Sequence, residues 1–240
     1  AVRGAGRGTG RPAAHSRRPD SSRVDADPGP WTQKSNIPAV GRHRTTGWSI
    51  GSKGYIGLGH YNSGPMGNVT FADIWEYDPS TDSWTQKADY GAGGTYGAAA
   101  FTVGNKAYVG FGLGMTMEDT VRKLIRREEF NDLWEFDGET ETWKQLSSCP
   151  CDARYHPALV AVAGKIFVAV GGSIRGNLKD FWEYDIAKDT WTQRPEFPGV
   201  KRHHPYFFGI DSTAYVGFGH GQGIFRDFYA WDVSTEKWSR

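Results

Sequence analysis

A twelve-residue unit recurs four times in this chain without a gap: DIWEYDPSTDSW (73–84), DLWEFDGETETW (132–143), DFWEYDIAKDTW (180–191) and DFYAWDVSTEKW (227–238). Each copy opens on Asp, carries an aromatic at its fifth position with a second Asp directly after it, and closes on Trp. A second pattern precedes each copy: GYIGLGH (54–60), AYVGFGL (107–113), IFVAVGG (166–172) and AYVGFGH (214–220). The closing residues Trp84, Trp143, Trp191 and Trp238 stand 59, 48 and 47 residues apart. A repeat of this length is one supersecondary unit that cannot bury its apolar face alone, so copies must stack on one another.

The repeats are strand-forming. Runs of Val, Ile, Tyr, Phe and Trp, cut at short spacing by Gly and Asx turns, predict an all-β sandwich, barrel or propeller. The chain is 14% aromatic and holds 32 glycines, enough large side chains for a substantial core and enough turns to connect many strands. The period of nearly 50 residues selects the propeller. Each unit divides into strand a (AFTV or ALVAV), strand b (the Gly-aromatic run), strand c (the WEYD run) and strand d, which ends near the closing Trp. Asp-Pro-Ser-Thr-Asp and Asp-Gly-Glu-Thr-Glu supply the c-to-d turn through Asx and Gly chemistry.

On these residues the chain resembles the kelch family of β-propellers over about 31–240. The features that carry the likeness are the Gly171-Gly172 pair after strand b, the strand c aromatic and the closing Trp. The second glycine is replaced by His60, Leu113 and His220 in the other three repeats, which sets large side chains where the family has none. The resemblance implies an all-β, kelch-type β-propeller with four complete four-stranded blades at about 42–84, 94–143, 154–191 and 202–238. PWTQK (30–34) repeats a strand d ending, so an orphan outer strand is expected, and with it a larger propeller of six or so blades. The strand c aromatic and strand d Trp are expected to pack between neighbouring sheets. Trp75, Trp134 and Trp182 have a second, lesser reading as sugar-stacking platforms.

Two domains are expected, a leader at 1–29 and the propeller at 30–240. Residues 1–30 hold six arginines and three aspartates, with no aromatic and almost no aliphatic residue, and so are expected to be disordered. That leader carries +3 and residues 31–240 carry −2, giving +1 overall, too little for a nucleic-acid partner. No run of 18 apolar residues predicts a membrane span, and no signal peptide is visible in this chain. Similarity to bacterial extracellular kelch proteins implies an extracellular or cell-surface location.

Strand alternation places the d-to-a and b-to-c connections on one face of the propeller. The b-to-c connections at 60–72 and 113–131 are long. The second, with MEDTVRKLIRREEF, is expected to form a short helix capped by Thr116, with Asp119 three later and Val121, Leu124 and Ile125 on one side, acting as a partner-docking lid. The starts of strand a align as Arg42-His43-Arg44-Thr45, Thr95-Tyr96-Gly97-Ala98, Arg154-Tyr155-His156-Pro157 and Arg202-His203-His204-Pro205. With His60 and His220, these put Arg42, His43, Arg154, His156, Arg202, His203 and His204 near the axis as candidate binding residues. Cys149, Cys151, His156 and His204 form a candidate metal set; in the plainer reading, which the resemblance implies, the arginines pair with carboxylates or backbone carbonyls, the histidines bond neighbouring loops, and the two cysteines are a reduced pair or a local disulfide. The favoured function is a non-enzymatic binding or scaffold module for a protein or glycan ligand, needing no cofactor. The alternative is a metal-dependent or sugar-modifying enzyme with a His/Arg-lined axial site; the copper-radical type, which needs a Tyr linked to Cys, fits poorly because both cysteines share one short loop.

Overall fold

The computed structural model describes residues 31–62, 68–119 and 124–240. Contacts divide the chain into residues 1–34 and 35–240. In the larger part, each repeat forms one antiparallel four-stranded sheet. The first blade is β1 (Thr46–Ile50), β2 (Lys53–Gly57), β5 (Ile74–Asp78) and β6 (Ser83–Lys87), with β3 (His60–Tyr61) and β4 (Val69–Thr70) as a small ribbon in its b-to-c connection. The second is β7 (Ala99–Val103), β8 (Lys106–Asp119), β9 (Leu124–Asp137) and β10 (Thr142–Gln145). The third is β11 (Ala158–Val162), β12 (Lys165–Ala169), β15 (Phe181–Asp185) and β16 (Thr190–Arg194), with the ribbon β13 (Gly172–Ser173) and β14 (Gly176–Asn177). The fourth is β17 (Tyr206–Ile210), β18 (Thr213–Gly217), β19 (Phe228–Asp232) and β20 (Lys237–Ser239). The four blades are set round one axis as a β-propeller, with strand a of each packed on strand a of the next.

The core lies between blades. Ile50, Tyr55 and Ile74 meet Ala107, Val109 and Phe136 between the first and second. Tyr108 and Leu133 meet Leu159, Ile166, Val168 and Tyr184 between the second and third. Val160, Phe167 and Phe181 meet Ala214, Val216 and Trp231 between the third and fourth. The repeated aromatics sit in this packing as expected. The strand c aromatic and closing Trp face each other across the ladder (Tyr77 and Trp84, Phe136 and Trp143, Tyr184 and Trp191, Trp231 and Trp238), with ring centroids 4.9–5.4 Å apart. Each closing Trp also ties its blade to the chain before it. The Nε1 of Trp143, Trp191 and Trp238 donates to the carbonyls of Ala88, Ser147 and Pro195, and that of Trp84 donates to Ser35 at 2.9 Å.

Three expectations need correction or placement. Residues 31–37 form no strand, so the outer strand at 30–34 is absent there: strand d forms only as the ladder partner of a strand c, and the leader offers no such pattern. The segment expected to be helical is a hairpin, with β8 and β9 continuing past Gly112 and Phe130 through the pairs Leu113–Glu129, Met115–Arg127 and Met117–Ile125. The run Phe-Gly-Leu-Gly-Met-Thr-Met (111–117) carries two glycines and a period of two, and a short helix is too costly to nucleate against a ladder that already leads into the segment. The leader at 1–29, expected to be disordered, lies outside the described residues. No described helix is long and apolar enough to cross a membrane.

The fourth blade differs from the third on one face. Ala158, Val160 and Val162 are 1%, 1% and 6% exposed, whereas Tyr206, Phe208 and Ile210, at the same positions of strand a, are 73%, 44% and 53% exposed.

Candidate functional site

The first residue at the start of strand a is a structural cation. Arg42, Arg154 and Arg202 each clamp the opening Asp of their own blade's motif, Asp73, Asp180 and Asp227, through both terminal nitrogens. Each also donates from Nε to the carbonyl two residues back and from Nη1 to the carbonyl sixteen residues on. Arg154 and Arg202 are fully buried. All three sequence-selected arginines are thus spent inside the blade and do not face a ligand. The indoles of Trp75 and Trp182 donate to the same aspartates at 2.7 Å, which engages the rings proposed as sugar platforms in the frame.

The second blade lacks this cation. Thr95 stands in the arginine position, and Asp132 accepts side-chain hydrogen bonds from Trp134 Nε1 at 2.7 Å and Tyr90 Oη at 3.3 Å, while its buried Oδ1 has no hydrogen-bond partner among the described residues. Burial is the largest influence on Asp132 and raises its carboxyl above the ordinary range, against the opposing hydrogen bonds. The native state therefore holds that proton more tightly than the unfolded chain, and its ionisation costs stability as pH rises above the unfolded value of about 3.9. Asp132→Asn is expected to raise the melting temperature at pH 7, with the gain shrinking to nothing toward pH 3. Calorimetry across that range checks it, and a loss at pH 7 would defeat the assignment.

The second residue forms a bridge to the end of strand b: His43 with His60, Tyr96 with Leu113, Tyr155 with Gly172, and His203 with His220. These bridges explain the replaced glycines, since that position is a partner site. Only Gly172 leaves room for its partner's ring, as a Cβ there would lie 2.8 Å from Tyr155 Cζ.

The third residue, Arg44, Gly97, His156 or His204, is left-handed in all four blades, with φ of 57°, 66°, 49° and 52°. Such a conformation is uncommon outside glycine and is held by the surroundings. Here the blades are laced together: His156 N donates to Gly97 O at 2.7 Å and His204 N to His156 O at 3.3 Å. His156 and His204 line a cavity of about 360 Å³ whose walls are the strand a segments of all four blades.

Six histidines and Tyr96 join in one run of rings over this mouth. His43 meets His60 at 4.2 Å between centroids, His60 meets Tyr96 at 4.4 Å, and Tyr96 meets His156 at 5.9 Å. His156 stacks on His204 at 3.8 Å, and His204 adjoins His203 and His220, themselves 4.0 Å apart. The Arg44 guanidinium covers Tyr96 at 5.2 Å. Burial is the first cause, and neighbouring positive groups the second, that push His156 down to about 3 and His60 and His204 to about 4, with His203 also lowered. These imidazoles are neutral at pH 7 and able to act as ligands or acceptors.

The cysteines do not join them. Cys149 and Cys151 form a disulfide, which removes both thiolates from the candidate metal set. Arg44 and Tyr96 were not among the selected residues, although the four-way alignment at the third and second positions carries the signal for both.

The β8–β9 hairpin rises from the same end of the propeller, since it continues strand b beyond the Tyr96–Leu113 bridge. A cleft of about 240 Å³ on one side is lined by Gly94, Thr116, Glu118, Arg126, Glu128 and Phe130. Another of about 270 Å³ is lined by Arg127, Glu129, Asp152, Ser173, Ile174 and Arg175.

The family model of the KLHDC2/KLHL20/DRC7 Kelch-repeats domain matches residues 96–240. Among solved structures, that of YjhT is similar at a TM-score of 0.72 and 18% identity, over 87% of this chain and 73% of that one. No curated protein matches the sequence.

Proposed function

This chain belongs to the kelch-repeat family, and we propose that it is a non-enzymatic binding module that engages a protein or glycan ligand through the face formed by the d-to-a and b-to-c connections. The observation that carries this reading is the β8–β9 hairpin, in which strands b and c of the second blade run on beyond the sheet beside the axial run of rings, where the described connections of the first and third blades hold two-residue ribbons. Its exposed residues Thr116, Glu118, Arg126, Arg127 and Glu128 are all polar and include both signs of charge. The two flanking clefts have the size of single side chains or sugar rings and combine acids, bases and one aromatic, a composition suited to polar recognition. Loops carried by a rigid frame are the usual place for specificity. The Cys149–Cys151 bridge supports an oxidising compartment, in keeping with a location outside the cell.

Met115, buried against Tyr96 and Leu113 and bonded through its backbone to Thr70, faces Arg127 in the ladder, so residues 116–126 can be replaced by Asn-Gly with that packing kept. That variant is expected to keep its stability within about 1 kcal/mol and to lose ligands found on a glycan array or a cell-surface protein display. Undiminished binding by the shortened protein would overturn the role of the hairpin face.

A further inference from the structure

We infer that His203, His204 and His220 form a three-imidazole site for a divalent transition metal ion of the zinc group. This site lies at the axial end of the fourth blade and does not depend on the ligand-binding reading of the hairpin.

The geometry comes from two features of that blade. His203 and His220 are bridged across the ends of strands a and b, with backbone bonds of 3.0 Å in both directions, so their rings share one side. His204 follows at the left-handed third position, which turns its ring back toward the other two. One ring nitrogen from each of the three lies within 4.8 Å of the others. Three nitrogens bound at 2.0–2.1 Å to a tetrahedral ion are about 3.4 Å apart, so modest ring rotations close the site.

The chemistry fits a metal better than a hydrogen-bond network. Nδ1 of His203 and of His204 is buried with no hydrogen-bond partner among the described residues. An orphaned buried polar atom costs free energy that a bound ion would recover. Imidazole is a ligand class for zinc, copper and nickel, while calcium and magnesium require oxygen ligands. Three protein ligands leave a fourth tetrahedral position open to solvent on the side of His220, which is exposed. The stacked ring of His156, 3.8 Å from His204, fixes the plane of that ligand from behind.

The first blade is the internal comparison. It has the same bridge, His43 with His60, but its third position is Arg44, which supplies no lone pair, so that blade offers two imidazoles where the fourth offers three. The pair His43–His60 is therefore expected to contribute nothing to metal binding.

The test is zinc titration of metal-free full chain, with bound metal measured after equilibrium dialysis, and with cobalt as a spectroscopic probe. One equivalent of zinc and the intense visible absorption of tetrahedral cobalt are expected. His220→Ala, at an exposed position that leaves the fold intact, is expected to weaken zinc binding beyond the roughly 10–100-fold that loss of an outer partner costs. His204→Gln is expected to do the same, and His43→Ala to leave it unchanged. Failure to bind a stoichiometric equivalent, equal affinity in His220→Ala, or equal losses in His43→Ala and His220→Ala would each overturn the site.

Discussion

Arg202→Met is expected to destabilise the protein by about 3–5 kcal/mol, lowering the melting temperature by roughly 6–20 °C at two to four degrees per kcal/mol for a domain of this size. The arginine is fully buried and makes four hydrogen bonds: two to Asp227 at 2.5 and 2.7 Å, one to Phe218 O and one to Val200 O, both at 2.8 Å. Its guanidinium also lies over Phe225 and Phe197. Methionine fills part of the volume but leaves a carboxylate without its counterion and two carbonyls without a donor. Removing both charges in Arg202→Met, Asp227→Leu is expected to recover much of the loss, because the cost lies in the stranded charge more than in the missing attraction.

The pH dependence of that variant has a fixed sign. The hydrogen bonds from Arg202 are the largest influence on Asp227 and hold its carboxyl below the ordinary range. Such a group contributes stability above the unfolded value of about 3.9, and the contribution is lost as pH falls through the lower native value. The deficit of Arg202→Met is therefore largest near neutrality and narrows below about pH 4. Urea denaturation at pH 7 and pH 3.5 measures both, and a deficit below about 1 kcal/mol at pH 7 would show that the pair is not the clamp described here.

The repeated arginine shows how far the residues could be read alone. Its recurrence at the start of strand a was visible, as was the recurrence of Asp at the start of strand c. Nothing local joins them, because the partners are separated by 25–31 residues and meet only when strands a, b and c are laid side by side. The residue therefore carries two readings, a cation facing a ligand or a partner of carboxylates and carbonyls inside the repeat, and the folded blade selects the second. The blades themselves were legible because their period and aromatic register are local patterns.

The hairpin went the other way. Val121, Leu124 and Ile125 suggest a helical face, but the ladder already running through Gly110 and Leu133 resumes after a register shift at Gly110/Gly112 and extends into the segment without the nucleation cost of a helix. The run of rings at the axis was partly legible, since the histidines could be counted onto one face. Its centre depends on four left-handed residues, and backbone sign at a non-glycine position leaves no mark in a sequence.

Phe181→Ala is expected to cost about 3–5 kcal/mol and Phe208→Ala less than about 1 kcal/mol, although both are aromatic residues in the strands of adjacent blades. Phe181 is 1% exposed and meets Phe167, Trp231 and Trp238 at 4.8–5.4 Å, two of them across the boundary with the fourth blade. Truncating it opens a cavity in the packing that joins two sheets, and neighbouring aromatic rings cannot collapse to fill it. Phe208 stacks on Tyr215 at 5.2 Å within its own sheet and keeps 44% of its surface in water, so alanine there removes cross-strand contact but creates no void. Measured by urea midpoint at constant m value, the contrast separates stability drawn from between blades from stability drawn from within one. Similar losses at the two positions would mean that the face carrying Phe208 is packed against something in solution, and the energetic boundary of the fold would then have to be drawn beyond the fourth sheet.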